Sequence, residues 1–136
     1  MNTQDFAKLL LGNNSSFPLA IEYALSDIPK DEPIHRNHMA RILHVYLRDV
    51  LMINDISDKD SLKRAEKIQD LFDCRVCVND ITQVYLRDIM KVKYDNEEAA
   101  LYAFGVHEVA TKDEIKEALL AVQGMLGIFE KDSMIQ

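Results

Sequence analysis

Apolar and polar residues follow a helical period along most of the chain. The clearest stretch lies between residues 33 and 53, where apolar side chains recur three or four positions apart and would share one side of a helix. We predict that this helix begins between Pro33 and His35 and ends near Ile53. Its predicted buried stripe comprises Met39, Ile42, Leu43, Tyr46, Leu47, Val50 and Leu51.

The same period predicts further helices on both sides of this stretch. Gly12 and Gly105 would end two of them, and Thr111 and Glu114 have the spacing of a capping box ahead of the last. We therefore predict an all-α single domain, a bundle of six or seven helices. The other predicted helices lie at 3–11, about 18–28, around 62–72, from 74 or 79 to about 89, just before Gly105, and at about 112–128.

The pentapeptide VYLRD occurs twice, at residues 45–49 and 84–88, with an offset of 39 residues. Aligning residues 35–50 with 74–89 gives seven identical positions out of sixteen. We interpret this as a duplicated helix–turn–helix unit. The pentapeptide itself has the spacing of core packing, and His44 is predicted to lie on the solvated side of its helix.

The repeat divides the predicted domain, residues 1–136, into successive parts. Residues 1–34 form N-terminal helices and a linker, and residues 111–129 form a C-terminal helix followed by a frayed tail at 130–136. The first repeat unit covers about 35–72 and the second about 74–105.

Each predicted unit begins with two candidate metal ligands three residues apart. Adding 39 maps His35 onto Cys74 and His38 onto Cys77. Imidazole and thiolate are the ligands that tetrahedral zinc prefers, and four protein ligands close a structural site. We therefore predict one structural zinc bound by His35, His38, Cys74 and Cys77, with no open position for catalysis. The alternatives are a redox dithiol at Cys74-x-x-Cys77, or buried cysteines and exposed histidines without a metal.

The order His, His, Cys, Cys resembles the ligand order of the zinc-binding N-terminal domain of retroviral integrases, which is a small helical bundle. The resemblance covers these four residues only, and in those domains three residues usually separate the histidines, whereas two separate His35 and His38. The resemblance supports a structural zinc in a helical fold and implies no integrase activity.

The net charge of the chain limits the classes of function that we expect for it. The chain has 23 acidic and 16 basic side chains, a formal charge of −7, which disfavours binding to a phosphate backbone. We expect a non-enzymatic protein–protein interaction module or regulator that binds a protein, with a basic partner as the best match in charge. A phage or mobile-element inhibitor of a nucleic-acid-processing machine fits this description, and exposed apolar stripes would also suit a homodimer. The alternative is a nucleic-acid-binding regulator with a local basic patch of Arg36, Arg41, Arg48, Arg75 and Arg87.

The chain shows no pattern of a secretory signal and no apolar run of about 20 residues, the length that a membrane span needs. We therefore expect a cytoplasmic protein without membrane contact.

Overall fold

The computed structural model describes residues 1–12 and 16–135, with side chains as far as residue 126. Over these residues the fold is mainly helical and contains one small sheet, so the predicted helical class is confirmed in its coarse form. The α-helices are α1 (Thr3–Leu11), α2 (Leu19–Leu25), α3 (Arg36–Val45), α4 (Lys59–Ala65), α5 (Val78–Leu86) and α6 (Lys112–Ile135). Helix α6 continues past the predicted boundary at residue 129, and Gln136 lies outside the described residues.

Local capping signals set several helix ends, and the ends at Gly12 and at Thr111–Glu114 lie where the sequence predicts them. Gly12 follows α1 with a φ of 77°, the left-handed conformation that suits glycine at a helix end. Asp58 caps α4 by accepting a hydrogen bond from the backbone N–H of Ser61 at 3.0 Å. Thr111 and Glu114 form the predicted capping box at α6, because each side chain accepts from the other residue's N–H, at 3.1 and 2.8 Å.

The long predicted helix is shorter and changes its geometry at the first VYLRD sequence. Helix α3 ends at Val45, and a π-helical turn at Tyr46–Val50 follows it. The N–H of Leu51 bonds to the carbonyl of Tyr46, five residues back, at 2.9 Å. Met52 then takes a φ of 58° and turns the chain away. The apolar residues of the sequence recur at helical spacing through this turn, so their pattern gives no sign of the π-turn.

A β-hairpin corrects the prediction of a purely α-helical fold. Strands β1 (Tyr94–Asn96) and β2 (Leu101–Ala103) pair antiparallel, where the sequence pattern predicts a short helix before Gly105. Asn96 stabilises the connecting turn, since its side chain accepts from the N–H of Ala99 at 3.1 Å. The second predicted repeat unit therefore ends in a hairpin, whereas the first contains α4.

Helix α3 lies at the centre of the core and packs against α1, α2 and α5. The fully buried side chains of this core come from all parts of the chain. They include Phe6, Ile21, Met39, Ile42, Leu43, Ile81, Val84, Phe104 and Ala118.

Arg36, the first residue of α3, is buried with only 2% of its surface exposed. Its Nε donates to the carbonyl of Phe104 at 2.8 Å, its Nη2 donates to the carbonyl of Lys91 at 2.5 Å, and its Nη1 pairs with Glu114. Its guanidinium carbon also lies 4.4 Å from the centre of the Phe104 ring. One side chain therefore joins α3 to the hairpin region and to α6.

Asp70 holds the segment after the hairpin in place. Its carboxylate accepts three successive backbone N–H groups, from Phe104 at 2.7 Å, Gly105 at 2.9 Å and Val106 at 3.0 Å. Successive N–H groups that converge in this way form a concave anion-binding nest. Gly105 has a φ of 76° within it, a conformation that favours glycine.

The two halves of the proposed duplication pack against each other, but the residues that the offset relates do not all have the same environment. Helices α3 and α5 pack against each other, and His44 and Gln83, which the 39-residue offset relates, are both buried. Arg36 is buried, however, while its counterpart Arg75 is exposed. The duplication therefore stays a hypothesis.

Candidate functional site

The two cysteines of the predicted zinc site are joined to each other. Cys74 and Cys77 form a disulfide with their Cα atoms 5.2 Å apart. Cys74 precedes a 3₁₀ turn at Arg75–Cys77, and Cys77 is the last residue of this turn, which leads directly into α5. In this oxidised form neither sulfur is the thiolate that zinc requires.

The two histidines lie together at the start of α3. Their rings stack with centres 5.6 Å apart and planes 3° from parallel. Burial lowers the pKa of His38, and the neighbouring positive charge of Arg41 lowers it further. Between the histidines, Asn37 contacts the cysteine pair, since its Nδ2 donates to Cys77 Sγ at 3.9 Å.

The structure does not gather the four predicted ligands into one cluster. Among the side chains it describes, no three His, Cys, Asp or Glu residues are arranged to hold a metal ion. The zinc stays a prediction, and it applies to the reduced chain.

A groove of about 510 Å³ lies between α2, the end of α3 with its π-turn, and the 3₁₀ turn of the disulfide. We call it the Tyr23 groove. Tyr23 and Val76 both line it and are 82% and 80% exposed. Leu19, one helical turn before Tyr23, is 80% exposed but does not line it. Its lining residues are Ala20, Tyr23, Ala24, Ser26, Asp27, Arg41, Val45, Arg48, Asp49, Val76 and Asp80.

Ion pairs fix the polar side chains of the Tyr23 groove. Arg41 pairs with Asp27 at 2.7 Å, and also donates to the carbonyl of Ala24 at 3.3 Å. Arg48 pairs with its neighbour Asp49 at 2.9 Å. Exposed pairs of this kind add little stability, so their main effect is to orient charges around the apolar side chains.

Asp80 in the groove lining belongs to a charged triad centred on His44. The Nδ1 atom of His44 lies 2.6 Å from Asp80 Oδ1, and its Nε2 atom lies 2.7 Å from Asp55 Oδ1. Asn79 also donates to Asp55 at 3.0 Å. Two carboxylates require a proton on both ring nitrogens, so the triad favours the imidazolium. Neither ring nitrogen is left to act as a general base.

The pKa values of the triad follow from two opposing effects. Burial disfavours the charged ring and lowers the pKa of His44, but the hydrogen bonds that the ring donates to Asp80 and Asp55 outweigh it and raise this pKa overall. Burial raises the pKa of Asp55, while the hydrogen bonds from His44 and Asn79 lower it more strongly. The triad is therefore held as an ion cluster.

The triad predicts a pH-dependent stability. A raised pKa of His44 stabilises the fold fully below the ordinary histidine value of 6.5, and this contribution disappears as the pH rises through the higher folded-state value. A lowered pKa of Asp55 stabilises the fold above the ordinary value of 3.8, and this contribution disappears as the pH falls through the lower folded-state value. The combined contribution is therefore greatest between 3.8 and 6.5.

Replacing His44 with glutamine, the residue at the related position Gln83, tests this dependence. We expect the free energy of unfolding of the wild type, relative to His44→Gln, to decrease when the pH is raised from about 6 to about 9. Urea denaturation at each pH measures the difference. The matched control is His107→Gln, since His107 is exposed. A difference for His44→Gln that does not change with pH would contradict an imidazolium at this position.

The structure corrects the sequence prediction for His44 and gives no support to a common basic patch. His44 is 2% exposed instead of solvated. Arg36 is buried as well, so a phosphate backbone cannot reach it. Arg87 donates to the carbonyl of Asn54 at 2.6 Å, and Arg41 and Arg48 are paired as described above.

Sequence reasoning missed the exposed side chains in and beside the Tyr23 groove. Leu19 and Tyr23 are four residues apart on α2, which is the spacing of one helix face. That spacing also fits a buried stripe, and Ile21 and Ala24 are the residues of α2 that enter the core. Val76 gives no signal beyond its place between the cysteines.

The fold and this surface define a mainly helical domain with a small hairpin and an exposed groove of apolar and ionic side chains. The chain matches no protein-family model, no curated protein sequence and no solved structure. None of the described helices combines the length and the apolar character that crossing a membrane requires.

Proposed function

We propose that this chain is a non-enzymatic protein-binding module and that the Tyr23 groove is its docking surface. The observation that carries the proposal is the exposure of Tyr23 and Val76 in the lining of one concave surface, with Leu19 exposed one helical turn before Tyr23. Large apolar side chains exposed as a group mark interaction sites, whereas isolated ones are ordinary. Tyrosine and arginine side chains, both present here, dominate the binding energy of many interfaces.

The proposed occupant is a segment of a partner protein with an apolar anchor residue and basic neighbours. The anchor would contact Tyr23 and Val76, which face the same space. Three carboxylates, Asp27, Asp49 and Asp80, line the groove together with two arginines, so the lining has one carboxylate more than it has arginines. A formal charge of −7 on the whole chain would also speed the encounter with a basic partner.

We also propose a regulatory role for the module. Both nitrogens of His44 are occupied, which favours a binding role over general-base catalysis. Proteins that process nucleic acids carry basic surfaces, and an acidic domain that covers one would inhibit it. An inhibitor of such a machine, including one from a phage or mobile element, is therefore the regulator class that we propose.

A displayed library of random peptides tests the docking surface while the natural partner is still unidentified. We expect selection on the purified protein to enrich peptides with a large apolar residue beside lysine or arginine. Tyr23→Ala should weaken the binding of a selected peptide by about tenfold or more, measured by calorimetry, because loss of an interface anchor costs about 1–3 kcal/mol.

The matched control for this experiment is Phe72→Ala. Phe72 is an aromatic residue with 68% exposure that does not line the groove, so its loss should leave peptide affinity unchanged. Peptides that bind equally to both variants, or selected sequences rich in acidic residues, would refute the proposal. Sedimentation of the free protein tests the other occupant, and a dimer lost in Tyr23→Ala would assign the groove to a second copy.

A further inference from the structure

The Cys74–Cys77 disulfide closes a very short ring, because the two residues are only three positions apart. The stabilisation from a disulfide grows with the length of the loop it closes in the unfolded chain. A ring of this size restrains the unfolded chain much less than a long loop would. The disulfide is therefore expected to add little to the stability of the fold, and a chemical role for it has to be considered.

The two sulfur-bearing residues differ in their access to solvent. Cys77 is completely buried, whereas Cys74 is partly exposed. The residues between them, Arg75 and Val76, are both exposed. Thiol–disulfide exchange requires a thiolate to reach one sulfur of the bond. Cys74 is the residue of the pair that an external thiol can reach.

The surroundings of Cys77 suit the sulfur that leaves. Cys77 occupies the N-cap position of α5, a helix of nine residues, and no described side chain caps this end. The Nδ2 of Asn37 donates to Cys77 Sγ at 3.9 Å. When the bond breaks, negative charge on Cys77 Sγ would therefore lie at the positive end of the α5 dipole and beside an amide donor.

We propose that Cys74–Cys77 is a thiol–disulfide exchange site for low-molecular-weight thiols such as glutathione. A glutathione thiolate attacks Cys74 Sγ, a new S–S bond forms there, and the electron pair of the old bond leaves on Cys77 Sγ. A second glutathione thiolate attacks the glutathione sulfur of this mixed disulfide and releases Cys74 as a thiolate. In total the protein disulfide gains two electrons and two protons, and two glutathione molecules become one glutathione disulfide.

This site does not depend on the partner of the Tyr23 groove. The partial burial of Cys74 favours a small thiol over a bulky one. Val76 lies inside the ring and also lines the groove, so exchange takes place at the edge of the groove, but the chemistry needs only the two cysteines and their surroundings.

Single-cysteine variants test the assignment of the two sulfurs. The probe is oxidised glutathione, added to the folded full chain with a chelator present so that no metal masks the thiols. We expect Cys77→Ser to form a mixed disulfide on Cys74 about tenfold or more faster than Cys74→Ser forms one on Cys77, because only Cys74 is accessible. Mass spectrometry after acid quenching measures both rates, and the two rates should become similar in urea.

Wild-type protein gives a second measurement that needs no substitution. Oxidised wild type is treated with reduced glutathione under native conditions, and the mixed disulfide is located by peptide mapping. A mixed disulfide on Cys74 is the expected result. Reduction only after unfolding in urea, or a mixed disulfide equally on Cys77, would overturn the proposal.

Discussion

Replacing Arg36 with alanine is expected to destabilise the protein by about 3–5 kcal/mol, the range found when one partner of a buried ion pair is removed. The variant would lose the ion pair with Glu114, the donors to two backbone carbonyls, and the contact with the Phe104 ring. The free energy of unfolding of a domain of this size is about 5–15 kcal/mol, so the substitution would remove a large part of it. Urea denaturation of both proteins measures the difference.

The sequence offers a matched control at the position related by 39 residues. Arg75 occupies the same place in the second predicted unit but is exposed, and exposed substitutions usually change stability by less than about 0.5 kcal/mol. Arg75→Ala should therefore be close to wild type. Equal effects at the two positions would show that Arg36 does not act through its buried contacts.

Replacing Asp70 with asparagine should cost about 3 kcal/mol, although the two side chains have nearly the same shape. The carboxylate accepts from three N–H groups with both oxygens, whereas an amide has one oxygen and turns an NH₂ group toward the remaining donors. Buried donors without an acceptor cost about 1–3 kcal/mol each, and bonds to a charged acceptor are among the stronger ones. Thermal unfolding and urea denaturation should both show the loss.

Asp73→Asn controls for the chemical change itself. Asp73 ends the 3₁₀ turn at Leu71–Asp73 and is exposed. We expect its substitution to leave stability within about 0.5 kcal/mol of wild type. If Asp70→Asn changed the stability as little as Asp73→Asn, the three hydrogen bonds to Asp70 would not be important for the stability of the fold.

Parts of the fold that depend on neighbouring residues are predictable from the sequence. Helix α1 ends at Gly12, and the Thr111–Glu114 capping box starts α6, because caps act over three or four residues. The hairpin is not predictable in this way, since strands of three residues are too short to establish a period of two. The π-turn is not predictable either, because the apolar residues keep their helical spacing through it and the sequence reads as one continuous helix.

The candidate sites depend even more on residues that are distant in the sequence, so they are harder to predict from it. The sequence pattern assigns His44 to solvent because its own helix places it beside arginines, but Asp55 and Asp80, which surround it, come from other parts of the fold. Burial of Arg36 similarly depends on residues 55 to 78 positions away. The closeness of Cys74 and Cys77, by contrast, follows from their spacing alone. Whether they meet His35 and His38 in the reduced chain is a long-range question that the spacing does not answer.

The contacts of Arg36 also bear on how the domain could have arisen and how it unfolds. Arg36 lies in the first predicted unit, yet its partners lie in the second unit and in the C-terminal helix. A single unit released from the rest would lose the ion pair, the backbone acceptors and the ring contact of this side chain. We therefore expect the two predicted units to gain and lose their structure together, as one cooperative body, whatever their ancestry.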